Sequence, residues 1–252
     1  MHNSLRLVLV AIVGLTALHA APVREIHLGL SPFLGAPERD SLVQTLPARL
    51  LEKTSFPGGT RLVVWDAWNL TTIVDFTIPV LDVDTPRSRT PRLAGPLGDL
   101  GRWLRVERIV PTGIAAGSGA VRAPEMLFEI GALPATGPRT IILIGSPFYR
   151  SPMEPAFDMA TDARYPSDGH LALGLRDSVF GLAEKSGRLA HTTVLWCYPS
   201  QSVWAHELHR HSVTRFWTLF VQGQGGTLAA FGADLSAVLA RATQPDRPPV
   251  LR

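Results

Sequence analysis

Cysteine is almost absent: Cys197 is the only one in 252 residues, so no disulfide can close within the chain. It lies in Thr192–Tyr198, TTVLWCY, an apolar run that reads as a buried strand, and an inert core thiol is expected there. Lysine is nearly absent too, at positions 53 and 185 only, and the many arginines are dispersed. The formal charge is +3, or +2 without Arg6, too small to imply a nucleic-acid or membrane-surface partner. Charged residues make up 18% against 46% hydrophobic, a balance that excludes a disordered chain and calls for a packed core. No repeat of solenoid length and no composition break marks a second domain.

Long apolar runs are limited to Leu7–Leu18, twelve residues, short of the ~20 that cross a bilayer as a helix. Arg6 precedes this run and His19-Ala20-Ala21-Pro22 follows it, the layout of a secretory signal peptide cut after Ala20 or Ala21. The expectation is an exported protein, periplasmic or extracellular, with a signal peptide over 1–20, one domain over 21–242, a flexible Pro-rich tail over 243–252 and no membrane span after cleavage.

What the chain does have is alternation. Strands are expected over 24–30, 60–65, 71–78, 139–145, 191–198 and 226–231. Asp66-Ala67-Trp68-Asn69 makes a hairpin connection between the second and third. Helices are expected over 37–53 (kinked at Pro47), 97–106, 124–133, 176–186, 202–221 and 234–242. The segments 81–96, 111–121 and 151–171 read as loops. Strands alternating with helices call for an α/β, doubly wound, mostly parallel central sheet. One antiparallel edge strand and helices on both faces complete this Rossmann-like architecture.

Thr140–Tyr149, TIILIGSPFY, is a strand buried on both faces that stops at Gly145. It ends in Ser146-Pro147-Phe148, as Ile26–Phe33 ends in Ser31-Pro32-Phe33. If the two strands are neighbours, both turns meet at the crevice where strand order reverses, the place open α/β sheets bind ligands.

This layout, with the closing FWTLFVQGQGGTLAAFGADLSAVLARA of Phe216–Ala242, resembles the von Willebrand factor type A domain over Arg24–Ala242. The resemblance implies a metal-ion-dependent adhesion site after the first strand, built from Asp-x-Ser-x-Ser with a Thr and an Asp from later loops. Here Ser31 matches, Gly29 stands at the Asp position and Phe33 at the second Ser. The later Asp falls near Ser146, and Gly117-Ser118-Gly119 takes the Thr loop. Without carboxylates a hard cation such as Mg²⁺ loses its charge-compensating ligands, so a degenerate site is implied. Ligand-binding candidates are Ser31, Phe33, Ser146 and Phe148, with Asp168 and His170 from a loop able to fold over the crevice.

Other chemistry is thin. His206-Glu207-Leu208-His209-Arg210-His211 fails the zincin pattern because Arg210 stands where the second His belongs. An apolar stripe through Val203, Trp204, Leu208, Phe216, Leu219 and Phe220 puts His206, His209 and His211 on the solvated side. Pro-Ser-Asp-Gly at 166–169 is ordinary turn chemistry, and Asp82-x-Asp84 reads as a solvated turn. Asp158 and Asp162 lack the glycine and closing Glu of a calcium loop. No Gly-x-Ser-x-Gly elbow surrounds Ser31 or Ser146, and the following Pro removes an oxyanion-hole N–H. The loop 113–119 lacks the Gly-Lys-Ser/Thr of a phosphate loop. The sequence therefore points to a non-catalytic binding module for another protein, with no cofactor called for and Mg²⁺ or Zn²⁺ left open. The alternative is a metal-assisted hydrolase using His170 or the His206–His211 cluster.

Overall fold

The computed structural model describes residues 24–134, 137–150, 158–159, 166–183, 187–198, 204–242 and 250–251. The signal-peptide reading, Val203, Asp162 and most of the 243–252 tail lie outside these residues. Seven strands form one sheet in the order β3-β2-β1-β4-β5-β6-β7. They are β1 (Arg24–Leu30), β2 (Thr60–Asp66), β3 (Thr71–Thr77), β4 (Arg139–Ile144), β5 (Thr192–Cys197), β6 (Thr227–Gly232) and β7 (Val250–Leu251). All pairings are parallel except β2 with β3, which is antiparallel. The expected Rossmann-like α/β sheet is present.

The six helices are α1 (Ala36–Leu51), α2 (Pro86–Arg105), α3 (Ala123–Ala132), α4 (Asp168–Ala172), α5 (Glu207–Gly223) and α6 (Leu235–Ala242). Strand periodicity decides which face each covers. Ile142 and Ile144 of β4 pack with Ile26, Leu28 and Leu30 of β1 against residues of α1, α2 and α6. Ile141 and Leu143 point the other way, into a cluster with Val194, Trp196, Leu127, Phe216, Trp217 and Phe220. Every residue of β4 is buried, as a strand covered on both faces requires. The ring of Trp196 meets Trp217 at 4.8 Å between centroids, and burying each such side chain contributes about 1.5–3 kcal/mol. Burial pushes the Cys197 thiol up to about 12, so it is inert as expected.

On the α3 side, β1 carries Glu25, His27 and Gly29 rather than aliphatics. Arg139 answers Glu25 at 3.2 Å and donates to the carbonyls of Ile130, Leu133 and Pro134, closing the carboxyl end of α3 with a cation. The Trp65 indole N–H donates to His27 Nδ1 at 3.0 Å, which leaves the neutral ring's proton on Nε2. Burial lowers the His27 pKa to about 4.

Four expectations are corrected. Residues 81–96 are not a surface loop: α2 starts at Pro86 and runs through Pro91 and Pro96. Thr85 and Ser88 form a reciprocal capping box. Asp84, expected in a solvated turn, pairs with Arg89, whose fully buried guanidinium also donates to the Phe56 carbonyl at 2.7 Å. The segment 176–183 is a series of turns, not a helix. A Cβ at Gly181 would lie 2.4 Å from the Gly174 carbonyl oxygen, and the Leu182 N–H donates to Leu171, so this stretch folds back on residues 171–174. Helix α5 starts at Glu207, capped by His206, rather than at 202. In the tail, Val250 and Leu251 pair with Ala230 and Phe231.

Candidate functional site

β1 and β4 lie side by side and parallel, Gly29 opposite Leu143 and Leu30 opposite Ile144. Both Ser-Pro-Phe turns therefore leave the same edge at the same level, at the reversal of strand order. The two turns repeat one device: Ser31 Oγ accepts the Phe33 N–H at 3.1 Å, and Ser146 Oγ accepts the Phe148 N–H at 3.2 Å. The loop before α3 closes over them. Ser31 Oγ donates to the Ala120 carbonyl at 2.7 Å, and the Ser146 N–H donates to the Gly119 carbonyl at 2.6 Å. Gly119 in turn donates to the Phe33 carbonyl at 2.9 Å. A Cβ at Gly145 would stand 2.4 Å from Val121 Cγ1 and 2.7 Å from the Gly119 oxygen, so only glycine admits this approach.

The crevice is thus filled by the chain itself. Ser31, Ser146, Phe33 and Phe148 are all buried. The two phenylalanines diverge: Phe33 packs edge-on to Trp68 at 5.3 Å, whereas Phe148 stacks on His209 at 5.1 Å. Gly117-Ser118-Gly119 does reach the crevice, but as backbone. At Gly29, the position at which the expected adhesion-site pattern calls for Asp, a Cβ would meet Met126 Cε at 2.4 Å.

The remaining candidates serve local contacts. Asp168 is the exposed partner of Arg215, two oxygens on two nitrogens at 2.8 and 2.7 Å. Those hydrogen bonds hold its carboxyl below the usual range. His170 Nδ1 lies 3.0 Å from Ser167 Oγ in the box that opens α4. His206 Nδ1 accepts the His209 N–H at 3.0 Å as the cap of α5. His211 faces Glu207 at 3.4 Å on the exposed side.

His209 corrects the expected helix face. It is buried, while Leu208 is 71% exposed. The buried positions of α5 are His209, Val213, Phe216, Trp217, Phe220 and Val221, a regular three-four stripe that excludes 208. Among the described residues, no group of three His, Cys, Asp or Glu is arranged to hold a metal, and no helix is long and apolar enough to cross a membrane.

Open space on this edge lies at β5 and β6. A cavity of about 790 Å³ is bounded by Tyr198, Trp204, Phe231, the Gly232–Asp234 turn, the start of α5 and Ala237, Val238 and Arg241 of α6. Of its residues the sequence singles out only the 206–210 stretch, as a metal candidate, because three separated segments meet there. The one available signal was Arg241, placed three residues after Val238 on the apolar stripe of α6.

No protein-family model matches this chain, and no curated protein matches it either.

Proposed function

We propose that this chain is an exported, non-catalytic binding module of von Willebrand A-like plan that engages another protein through the loops at the carboxyl edge of its sheet. The observation that carries this reading is the crevice between β1 and β4. Both serine turns converge there, yet Ser31 Oγ is bonded to the Ala120 carbonyl, the Ser146 N–H to the Gly119 carbonyl, and a side chain at Gly29 would meet Met126. A divalent ion held without carboxylates lacks charge compensation, so binding falls to the rim. Ile109 stands 96% exposed there, beside a groove of about 360 Å³ that includes Pro32, Phe33 and Trp68. The hydrolase alternative, through His206 or through His170, would draw His206 Nδ1 from the His209 N–H at the α5 N-terminus or His170 Nδ1 from the Ser167 N–H that opens α4.

Metal analysis of the purified mature protein is expected to find no stoichiometric ion, and chelation to leave its melting temperature unchanged. A bound Zn²⁺ on the 206–211 histidines sinks the reading. Capture from envelope or culture fluid should enrich a partner that Ile109→Asp loses without unfolding. No enrichment counts against a binding module. The N-terminus of the exported chain, read by mass spectrometry, should begin at Ala21 or Pro22.

A further inference from the structure

Arg241 is 7% exposed, it lines the cavity at β5 and β6, and among the described residues Nε, Nη1 and Nη2 all lack a hydrogen-bond partner. A guanidinium stays protonated in proteins and carries five N–H donors. Burying it unpaired is strongly unfavourable, and methionine or leucine at that place on α6 would cost nothing comparable. Buried polar groups in folded proteins are satisfied unless a ligand or ion completes them. We propose that this cavity binds a small organic carboxylate with an aromatic body, its carboxylate held by the Arg241 guanidinium.

The neighbouring charges decide the ligand's charge. Glu207 is committed to Arg210, and Asp234 Oδ1 accepts the Ala237 N–H at the start of α6 at 3.1 Å. Neither carboxylate hydrogen-bonds Arg241 among the described residues, and the Asp234 carboxylate keeps its own negative charge at the cavity wall, which suits a monoanion better than a dianionic phosphate. The planar fork suits a carboxylate bidentately. The walls supply the rest: Tyr198, Trp204 and Phe231 offer ring faces and edges, with Trp204 and Phe231 centroids 6.3 Å apart. A volume of about 790 Å³ falls within the roughly 300–1,000 Å³ of small-molecule sites. This site is separate from the β1/β4 rim, and either proposal can fail without the other.

Phenylacetate, its neutral amide phenylacetamide, and inorganic phosphate test this by thermal shift, tryptophan fluorescence and calorimetry on the full mature protein. Millimolar phenylacetate is expected to raise the melting temperature and bind one per chain, and phenylacetamide and phosphate are expected to do neither. Arg241→Met should weaken phenylacetate about ten- to hundredfold while raising the ligand-free melting temperature, an increase that a purely structural arginine would not give. Arg241→Lys should retain partial binding, and it serves if the methionine variant misfolds. Equal binding of acid and amide, phenylacetate binding unchanged in both variants, or no response to phenylacetate overturns the proposal. A preference for phosphate overturns its carboxylate chemistry.

Discussion

The β1/β4 crevice and the β5/β6 cavity open on the same edge of one sheet, a strand apart, yet they treat polar groups in opposite ways. In the crevice, each serine hydroxyl is matched to a backbone group within 3.2 Å, and a glycine at 145 lets two loops touch. In the cavity, a complete guanidinium has no hydrogen-bond partner among the described residues. A self-satisfied site is a piece of architecture, and its residues are tested by stability. A site with an unmatched charge is incomplete as a folded chain, and its residues are tested by ligands. The topological switch point thus marks the better-packed place here, not the more available one.

The largest effect should come from forcing the crevice open. Gly145→Ala puts a methyl against the Val121 side chain and the Gly119 carbonyl, and denaturant unfolding should record a loss of about 3 kcal/mol. A loss near zero would mean the two loops do not close over the switch point. Next is protonation of His27, on the strand that leads into Ser31. Its pKa is lowered from 6.5 to about 4 by burial, so the unfolded chain takes the proton first as pH falls. The stability His27 lends is complete above pH 6.5 and drains away as pH falls toward 4, levelling out below. Between pH 7 and 5 the loss should be about 2 kcal/mol, and His27→Gln should flatten that slope. If phenylacetate binding instead follows the same titration, the two regions are coupled and the contrast between them weakens.

How much of this was legible depends on what each segment declares. β4 announces itself because six consecutive buried residues need no alternation, and the twin Ser-Pro-Phe turns are readable as a pair. Helix α2 is hidden by composition: Pro91, Pro96 and the three arginines at 87, 89 and 92 look like a solvated loop. Only the Asp84–Arg89 pair and the Phe56 carbonyl explain why one of those arginines is inside. In α5, residue type misled. Leucine was taken for core over histidine, although the phase set by Val213, Phe216 and Phe220 puts 209 inward and 208 outward. The cavity was not legible, because a pocket assembled from Tyr198, Trp204, the start of α5, residues 230–234 and α6 has no sequence spacing to recognise.

The serines offer a smaller, finer test. Ser31 both donates to Ala120 and accepts from Phe33, while among the described residues Ser146 Oγ only accepts, from Phe148. Ser31→Ala should therefore cost about 1–2 kcal/mol and Ser146→Ala about 1 kcal/mol or less, read from paired denaturation curves. The reverse order would mean that the 111–121 loop is not anchored through Ser31.

The smallest expected change makes the sharpest contrast. Ala237 is on the exposed side of α6 and lines the cavity, so Ala237→Leu adds three carbons to open volume while keeping a good helix former. Its effect on unfolding should stay within about 0.5 kcal/mol, even though a single added carbon at Gly145 costs several times more. The same leucine should occupy space meant for a ligand's ring and weaken phenylacetate by calorimetry without touching Arg241. A large destabilisation by Ala237→Leu would mean that the cavity is as closed as the crevice, and that the unmatched guanidinium must be explained within the chain.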